Sequence, residues 1–262
     1  MKLKIYQLDA FTNKLFSGNP AAVCPLEKWL PDEKLQAIAA ENNLAETAFY
    51  VKQNDQYEIR WFTPAVEVDL CGHATLASAK VLYDFENYNK KEVIFFSPRS
   101  GILKVTRNGE MYTLDFPADK YERVELSAQI IACFDSQPLE AYKGKTDLML
   151  VFNTEEEIKK IIPDLNAMMK LKVRGIIITS PGTESDFVSR FFAPQSGVNE
   201  DPVTGSAHTT LTPYWAQKTG KSELTAIQLS ARKGFLTCAH LGDRVKISGQ
   251  GVTYLQGEIT VE

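Results

Sequence analysis

Long apolar runs are missing from this chain: no stretch approaches the ~20 consecutive apolar residues that a membrane-spanning helix requires. The N-terminus, Met1-Lys2-Leu3-Lys4-Ile5-Tyr6, lacks the apolar core and small-residue cleavage site of a secretory signal. Cysteine is scarce, and Cys24, Cys71, Cys133 and Cys238 lie far apart without a CxxC pair. That argues against a zinc ribbon or a disulfide framework and leaves free thiols of a reducing compartment, so a cytoplasmic protein is expected. The three histidines have no partner at ligand spacing, so no metal is expected, and no GxGxxG or GxxxxGK[ST] segment points to a nucleotide cofactor. Positive charge is not in excess, with 29 Lys and Arg against 33 Asp and Glu, and the Lys90-Lys91 pair falls in one short polar loop. A nucleic-acid partner is therefore not expected, because phosphate neutralisation needs a basic face.

What is present is an ordinary globular composition, 44% hydrophobic and 24% charged over 262 residues. A chain of this size buries roughly 70–75% of the surface of its unfolded form, enough for one large domain or two small ones without a metal or disulfide staple.

Apolar residues at Leu3 and Ile5, then at Tyr6, Leu8 and Ala10, predict a half-buried strand with one slip in phase. A turn is expected at Ser17-Gly18-Asn19-Pro20, then a surface helix over 34–42 opened by Pro31-Asp32-Glu33, then strands over 47–51 and 57–62. From Cys71 to Tyr83 the residues are small and apolar nearly all round, which predicts a helix buried on most sides. Strands over 93–96, 101–106 and 110–116 follow, with hairpin chemistry at Arg107-Asn108-Gly109. Pro117-Ala118-Asp119 reads as a domain boundary. It divides an N-terminal lobe over 1–117, with 253–262 as a candidate strand to complete it, from a C-terminal lobe over 118–252. Beyond it, helices are expected over 127–134 and 154–162, and strands over 147–152 and 174–179.

Arg60-Trp61-Phe62-Thr63-Pro64 is echoed 130 residues later by Arg190-Phe191-Phe192-Ala193-Pro194. Each copy is followed, 11 residues after its arginine, by a segment that reads as the start of a buried helix: Cys71-Gly72-His73-Ala74 and Asp201-Pro202-Val203-Thr204-Gly205-Ser206-Ala207-His208. The start of a helix has unpaired N–H groups and a positive dipole end, and glycine lets a ligand approach the backbone. Two such ends across a cleft would hold a small carboxylate-bearing metabolite; the alternative is two helices that start at glycine turns for packing alone.

Several groups can move protons. Glu46 sits between apolar neighbours where a helix gives way to a strand, and a carboxyl shielded from water is a competent acid or base near neutral pH. A solvated turn carboxylate is the other reading. His73 falls in the first turn of the presumed buried helix, where the dipole favours a neutral imidazole, or it is a satisfied core histidine. Asp201 occupies the equivalent place in the second half, where a helix cap is the simpler role. Cys71 is either a thiolate activated by the helix end or a buried structural cysteine. His208 and His240 are isolated.

Five ordered motifs carry a resemblance to a known family. Ser17-Gly18-Asn19-Pro20-Ala21-Ala22-Val23, Asn43-Leu44-Ala45-Glu46-Thr47-Ala48-Phe49, Arg60 to Pro64, Cys71-Gly72-His73-Ala74-Thr75 and Glu200 to His208 together resemble the PhzF-type phenazine-biosynthesis isomerases, extended by Gly242-Asp243-Arg244-Val245. The resemblance implies an α+β fold like that of diaminopimelate epimerase, two similar lobes each with a curved mixed sheet wrapped around a central helix and the site in the cleft between them. It also implies cofactor-independent isomerisation by proton transfer and a homodimer. Glu46 would be the general acid/base, His73 and Asp201 polar partners at the reacting atoms, and Gly72, Gly205 and Ser206 donors to substrate oxygens. Where diaminopimelate epimerase carries a cysteine at both helix ends, Cys71 is here matched by Asp201, which does not support a two-thiol racemase. The form with His208 also resembles the broader branch of the family more than the phenazine-pathway branch. An epimerase using Cys71 with Asp201 or Glu46, and an idle ligand-binding or interaction module, are the competing readings.

Overall fold

The computed structural model describes residues 1–262. The architecture is mixed α+β, dominated by sheet with few helices, and the chain divides into two compact units. Unit 1 comprises residues 1–115 and 248–262, and unit 2 comprises 116–247.

Unit 1 begins with β1 (Lys2–Ala10), β2 (Asn19–Leu26), α1 (Asp32–Asn42), β3 (Glu46–Gln53), β4 (Gln56–Phe62) and the two-residue β5 (Glu67–Val68). It continues with α2 (Gly72–Phe85), β6 (Glu92–Ser97), β7 (Gly101–Asn108) and most of β8 (Met111–Pro117). In unit 2 come β9 (Glu122–Val124), α3 (Ala128–Ile131), β10 (Glu140–Lys143), β11 (Asp147–Val151), α4 (Glu155–Lys160), α5 (Leu165–Met168), β12 (Gly175–Pro181) and β13 (Phe187–Phe192). They are followed by α6 (His208–Thr219), β14 (Glu223–Gln228) and β15 (Gly234–Leu241). The chain returns along β16 (Arg244–Gly249) to β17 (Gly251–Thr260), which pairs antiparallel with β1 in unit 1.

The two units repeat one pairing scheme. In unit 1, β1 and β2 are antiparallel, β2 and β3 parallel, β3 and β4 antiparallel, β4 and β6 parallel, β6 and β7 antiparallel. In unit 2 the same alternation runs through β10, β11, β12, β13, β14 and β15. The parallel steps need crossovers, and helices supply them: α1 and α2 in the first unit, α4 with α5 and then α6 in the second.

The phase slip expected in the first strand is a register shift between Gln7 and Leu8 in the β1–β17 pairing. Residues from His73 to Leu82 of α2 are all buried, and the helix packs against β1, β2, β3, β7 and β17. Its alanines and serine permit this, since small side chains let strand backbones come close. The other side of the unit 1 sheet is covered by α1, where Leu35, Ile38 and Ala39 meet Ile5, Cys24, Phe49 and Phe62. In unit 2, Ile158 of α4 and Met168 of α5 cover a core of Leu148, Leu150, Ile176, Ile178 and Phe192.

Some elements differ from expectation. The helix expected over 127–134 is one turn, Ala128–Ile131, and that over 154–162 is Glu155–Lys160. Asn19 and Pro20 belong to β2 rather than to the turn before it. The largest difference is at Asp201, which does not open a helix: a short 3-10 turn spans Gly205–Ala207 with Thr204 at its cap, and α6 starts only at His208. Pro213 inside α6 cannot donate to the Thr209 carbonyl, which accepts from the Asp119 N–H at 3.1 Å instead.

Candidate active site

Parallel pairing of β2 with β3 puts the starts of both strands side by side, so Asn19 and Glu46 emerge at one end of the unit 1 sheet. Two backbone features fix this end. Gly18 has φ +66°, and a Cβ on it would lie 2.2 Å from the Ala10 carbonyl oxygen, so glycine is required between β1 and β2. Asn43, which closes α1, is left-handed at φ 48°, a conformation asparagine tolerates, and it turns the chain sharply into Glu46.

The N-terminus of α2 meets the same place. Cys71 precedes the helix with no side-chain cap hydrogen bond, Gly72 is its first residue, and no acidic side chain occupies the first turn. His73 Nε2 lies 3.1 Å from Glu46 Oε2. On the other side of the ring, His73 Nδ1 is 3.2 Å from Asn19 Nδ2 and 3.4 Å from Cys71 Sγ. His73 and Cys71 are almost fully buried, whereas the Glu46 side chain keeps 19% of its surface open. Of the three groups, the carboxylate is the one solvent or a ligand reaches.

Burial alone would lower the His73 pKa, but the negative charges of Cys71 and Glu46 and their hydrogen bonds outweigh it and hold the value well above 6.5. The Cys71 thiol is pushed up to about 11, first by burial and then by the Glu46 charge. The upward shift of the thiol runs against the activated thiolate, and that of the imidazole against the neutral form that the helix dipole would favour. The Asn19 amide nitrogen faces Nδ1, so a proton on Nδ1, in the imidazolium or in the neutral Nδ1–H tautomer, calls for the opposite amide orientation, with the oxygen toward the ring.

The remaining candidates belong to unit 2. Asp201 accepts a short hydrogen bond from Thr204 Oγ1, and its carbonyl accepts from Gln228 Nε2 at 2.8 Å. Ser206 Oγ is 3.0 Å from Arg174 Nη2, and Arg174 is forked onto the buried Asp147. Sequence reading missed Arg174 and Asp147, because the pair spans 27 residues and neither lies in a motif. Gly205 begins the 3-10 turn. His208 is fully buried, its Nδ1 2.9 Å from the Thr204 carbonyl, and burial pushes its pKa down to about 4, so it is a neutral structural group.

The arginines of the two echoed motifs have matching roles. Arg60 is forked onto Glu67 and lies 5.1 Å over Phe62; Arg190 is forked onto Glu200 and lies 4.9 Å over Phe192. Arg60 ties β4 to β5, and Arg190 ties β13 to the segment that precedes α6.

The sequence model of the PhzC-PhzF family, described as phenazine biosynthesis-like protein, matches residues 8–257. The chain belongs to this family. It is 49% identical to an uncharacterized isomerase of Pseudomonas aeruginosa, over 99% of both chains. It is 40% identical to the human phenazine biosynthesis-like domain-containing protein, over 99% of this chain and all of that one. The crystal structure of a PhzF family protein from Enterococcus faecalis, 46% identical, superposes with a TM-score of 0.97 over the full length of both chains. With curated relatives at this level named isomerases, the chain is an isomerase of the PhzF family. A hydroxyproline epimerase from Agrobacterium vitis, 9% identical with a TM-score of 0.61, shares the fold alone. No helix is long and apolar enough to cross a membrane.

Proposed function

We propose that the protein moves a proton within a small carboxylate-bearing metabolite without a cofactor, with Glu46 as the general acid/base. The observation that carries this reading is the 3.1 Å contact between the partly open Glu46 carboxylate and the buried His73 ring. A carboxylate that takes a proton from carbon and returns it elsewhere acts best when it is held in position with a polar partner beside it. His73 contributes to this, its Nε2 lying 3.1 Å from Glu46 Oε2 and its ring held from behind by Asn19 and Cys71. The N–H groups at the start of α2, where Gly72 is half-buried and carries no side chain, suit a substrate carboxylate or a developing enolate oxygen. The roles of Asp201, Gly205 and Ser206 at the substrate and a homodimeric state come to this reading from the family resemblance, and a cytoplasmic location from the scattered free cysteines.

Incubation with candidate carboxylic acids in D₂O tests it: a substrate acquires deuterium at carbon, and Glu46→Gln reduces incorporation at least about 100-fold, the usual contribution of a general acid or base. Incorporation that survives Glu46→Gln removes Glu46 from the chemistry, and if it is lost in Cys71→Ala instead, the thiol is the base.

A further inference from the structure

Glu46, Cys71 and His73 bring together a carboxylate, a thiol and an imidazole, with one ligand atom of each within 4.8 Å of the others. From His73 Nε2 the distances are 3.1 Å to Glu46 Oε2 and 3.9 Å to Cys71 Sγ. A tetrahedral zinc ion, with bonds of about 2.0–2.2 Å to nitrogen and oxygen and about 2.3 Å to sulfur, holds its ligand atoms roughly 3.3–3.6 Å apart. The distances from Nε2 bracket that range; Cys71 Sγ lies nearer Nδ1, at 3.4 Å, so closing the set on Nε2 calls for the Cys71 or His73 side chain to turn. Oxygen, nitrogen and sulfur together suit zinc and disfavour magnesium or calcium. No fourth protein ligand joins the cluster, which leaves a position for water.

We propose that Glu46, Cys71 and His73 form a Zn²⁺ site whose occupancy blocks proton transfer, so that zinc is a reversible inhibitor of this protein and not its cofactor. Starting from the Glu46 carboxylate and the His73 imidazolium, the S–H bond of Cys71 and the Nε2–H bond of His73 break and bonds from zinc to Sγ, Nε2 and the carboxylate form. Two protons leave to solvent. The net charge is conserved: the carboxylate and imidazolium cancel beforehand, and the carboxylate, thiolate and Zn²⁺ cancel afterwards. His73 keeps its proton on Nδ1 and donates it to the Asn19 amide oxygen, the kind of outer contact that orients metal-bound histidines.

The test uses the full-length protein stripped of metal and titrated with Co²⁺ as a spectroscopic stand-in, then with Zn²⁺ in competition. One equivalent should produce a thiolate-to-cobalt band in the near ultraviolet and the visible bands of a tetrahedral ion, both erased by Zn²⁺. Cys71→Ser should abolish the near-ultraviolet band, and Glu46→Gln and His73→Gln should each weaken binding at least about tenfold, the least that loss of a mere outer-shell partner costs. Cys238→Ser, whose sulfur is buried in unit 2, should leave the titration unchanged. Absence of the near-ultraviolet band, or its survival in Cys71→Ser, overturns the site. The inhibitory half of the proposal rests on Glu46 as the acid/base: zinc should suppress deuterium incorporation and a chelator restore it. If the metal binds but Glu46→Gln still exchanges deuterium, the reading of Glu46 fails and the metal site stands.

Discussion

Replacing Arg190 tests the physical account of unit 2. Its guanidinium donates at 2.8 and 3.1 Å to the two oxygens of Glu200, at 3.1 Å to the Ile158 carbonyl and at 2.8 Å to the Ile161 carbonyl, and it covers the Phe192 ring. The two carbonyls are at the C-terminal end of α4, where helix geometry leaves acceptors without internal donors. In Arg190→Met both lose their donor, at about 1–1.5 kcal/mol each. Glu200 is 28% exposed and recovers hydration, so its ion pair contributes at most about 1 kcal/mol, and the cation–π contact about 0.5–1 kcal/mol. The methionine chain returns about 1 kcal/mol of apolar burial. The net loss is about 3 kcal/mol, or a fall in Tm of roughly 6–12 °C for a chain of this size. Denaturant unfolding followed by circular dichroism reads the total, and amide exchange in α4 should rise more than in α1, which Arg190 does not touch. Arg190→Lys should fall between, because one ammonium cannot serve a carboxylate and two carbonyls together. A loss under about 1 kcal/mol in Arg190→Met, or a lysine variant as stable as the parent, would refute this account.

Gly18→Ala should destabilise by at least about 2 kcal/mol, since its Cβ would meet the Ala10 carbonyl at 2.2 Å in a left-handed backbone; it should also displace Asn19 and alter the His73 titration read by NMR. His73 gives a pH dependence of defined sign. Its folded pKa lies above the unfolded value near 6.5, so its stabilisation is complete below 6.5 and is lost as pH rises through the folded value. The stability difference between the parent protein and His73→Gln, measured by urea unfolding, should therefore shrink with increasing pH, and a difference that grows would show that the ring is held neutral.

Much of unit 1 is legible locally. The phase slip in β1, the acidic first turn of α1 and the all-round apolar face of α2 are statements about neighbouring residues, and the structure repeats them. The late start of α6 is not local. Asp201-Pro202 has helix-opening composition, yet Gln228 accepts from the Thr204 N–H and donates to the Asp201 carbonyl, while Ser230 donates to that of Pro202. Side chains at and just beyond the end of β14 thus hold the segment extended, a tertiary effect that no window around Asp201 contains. The same limit hid the ligand cluster: Cys71 and His73 are adjacent in the motif, but Glu46 joins them only because β2, β3 and α2 converge.

The antiparallel pairing of β1 with β17 joins the two extremes of the chain, Lys2 opposite Thr260. During synthesis, β1 emerges before residues 116–247 and its partner β17 after them, so that continuous stretch is complete before the pairing can form. Loop closure over such a separation is slow, and until it occurs β1 presents an unpaired edge. A growing polypeptide of this design has its middle finished before its beginning, and β1 is the stretch a chaperone would have most reason to cover.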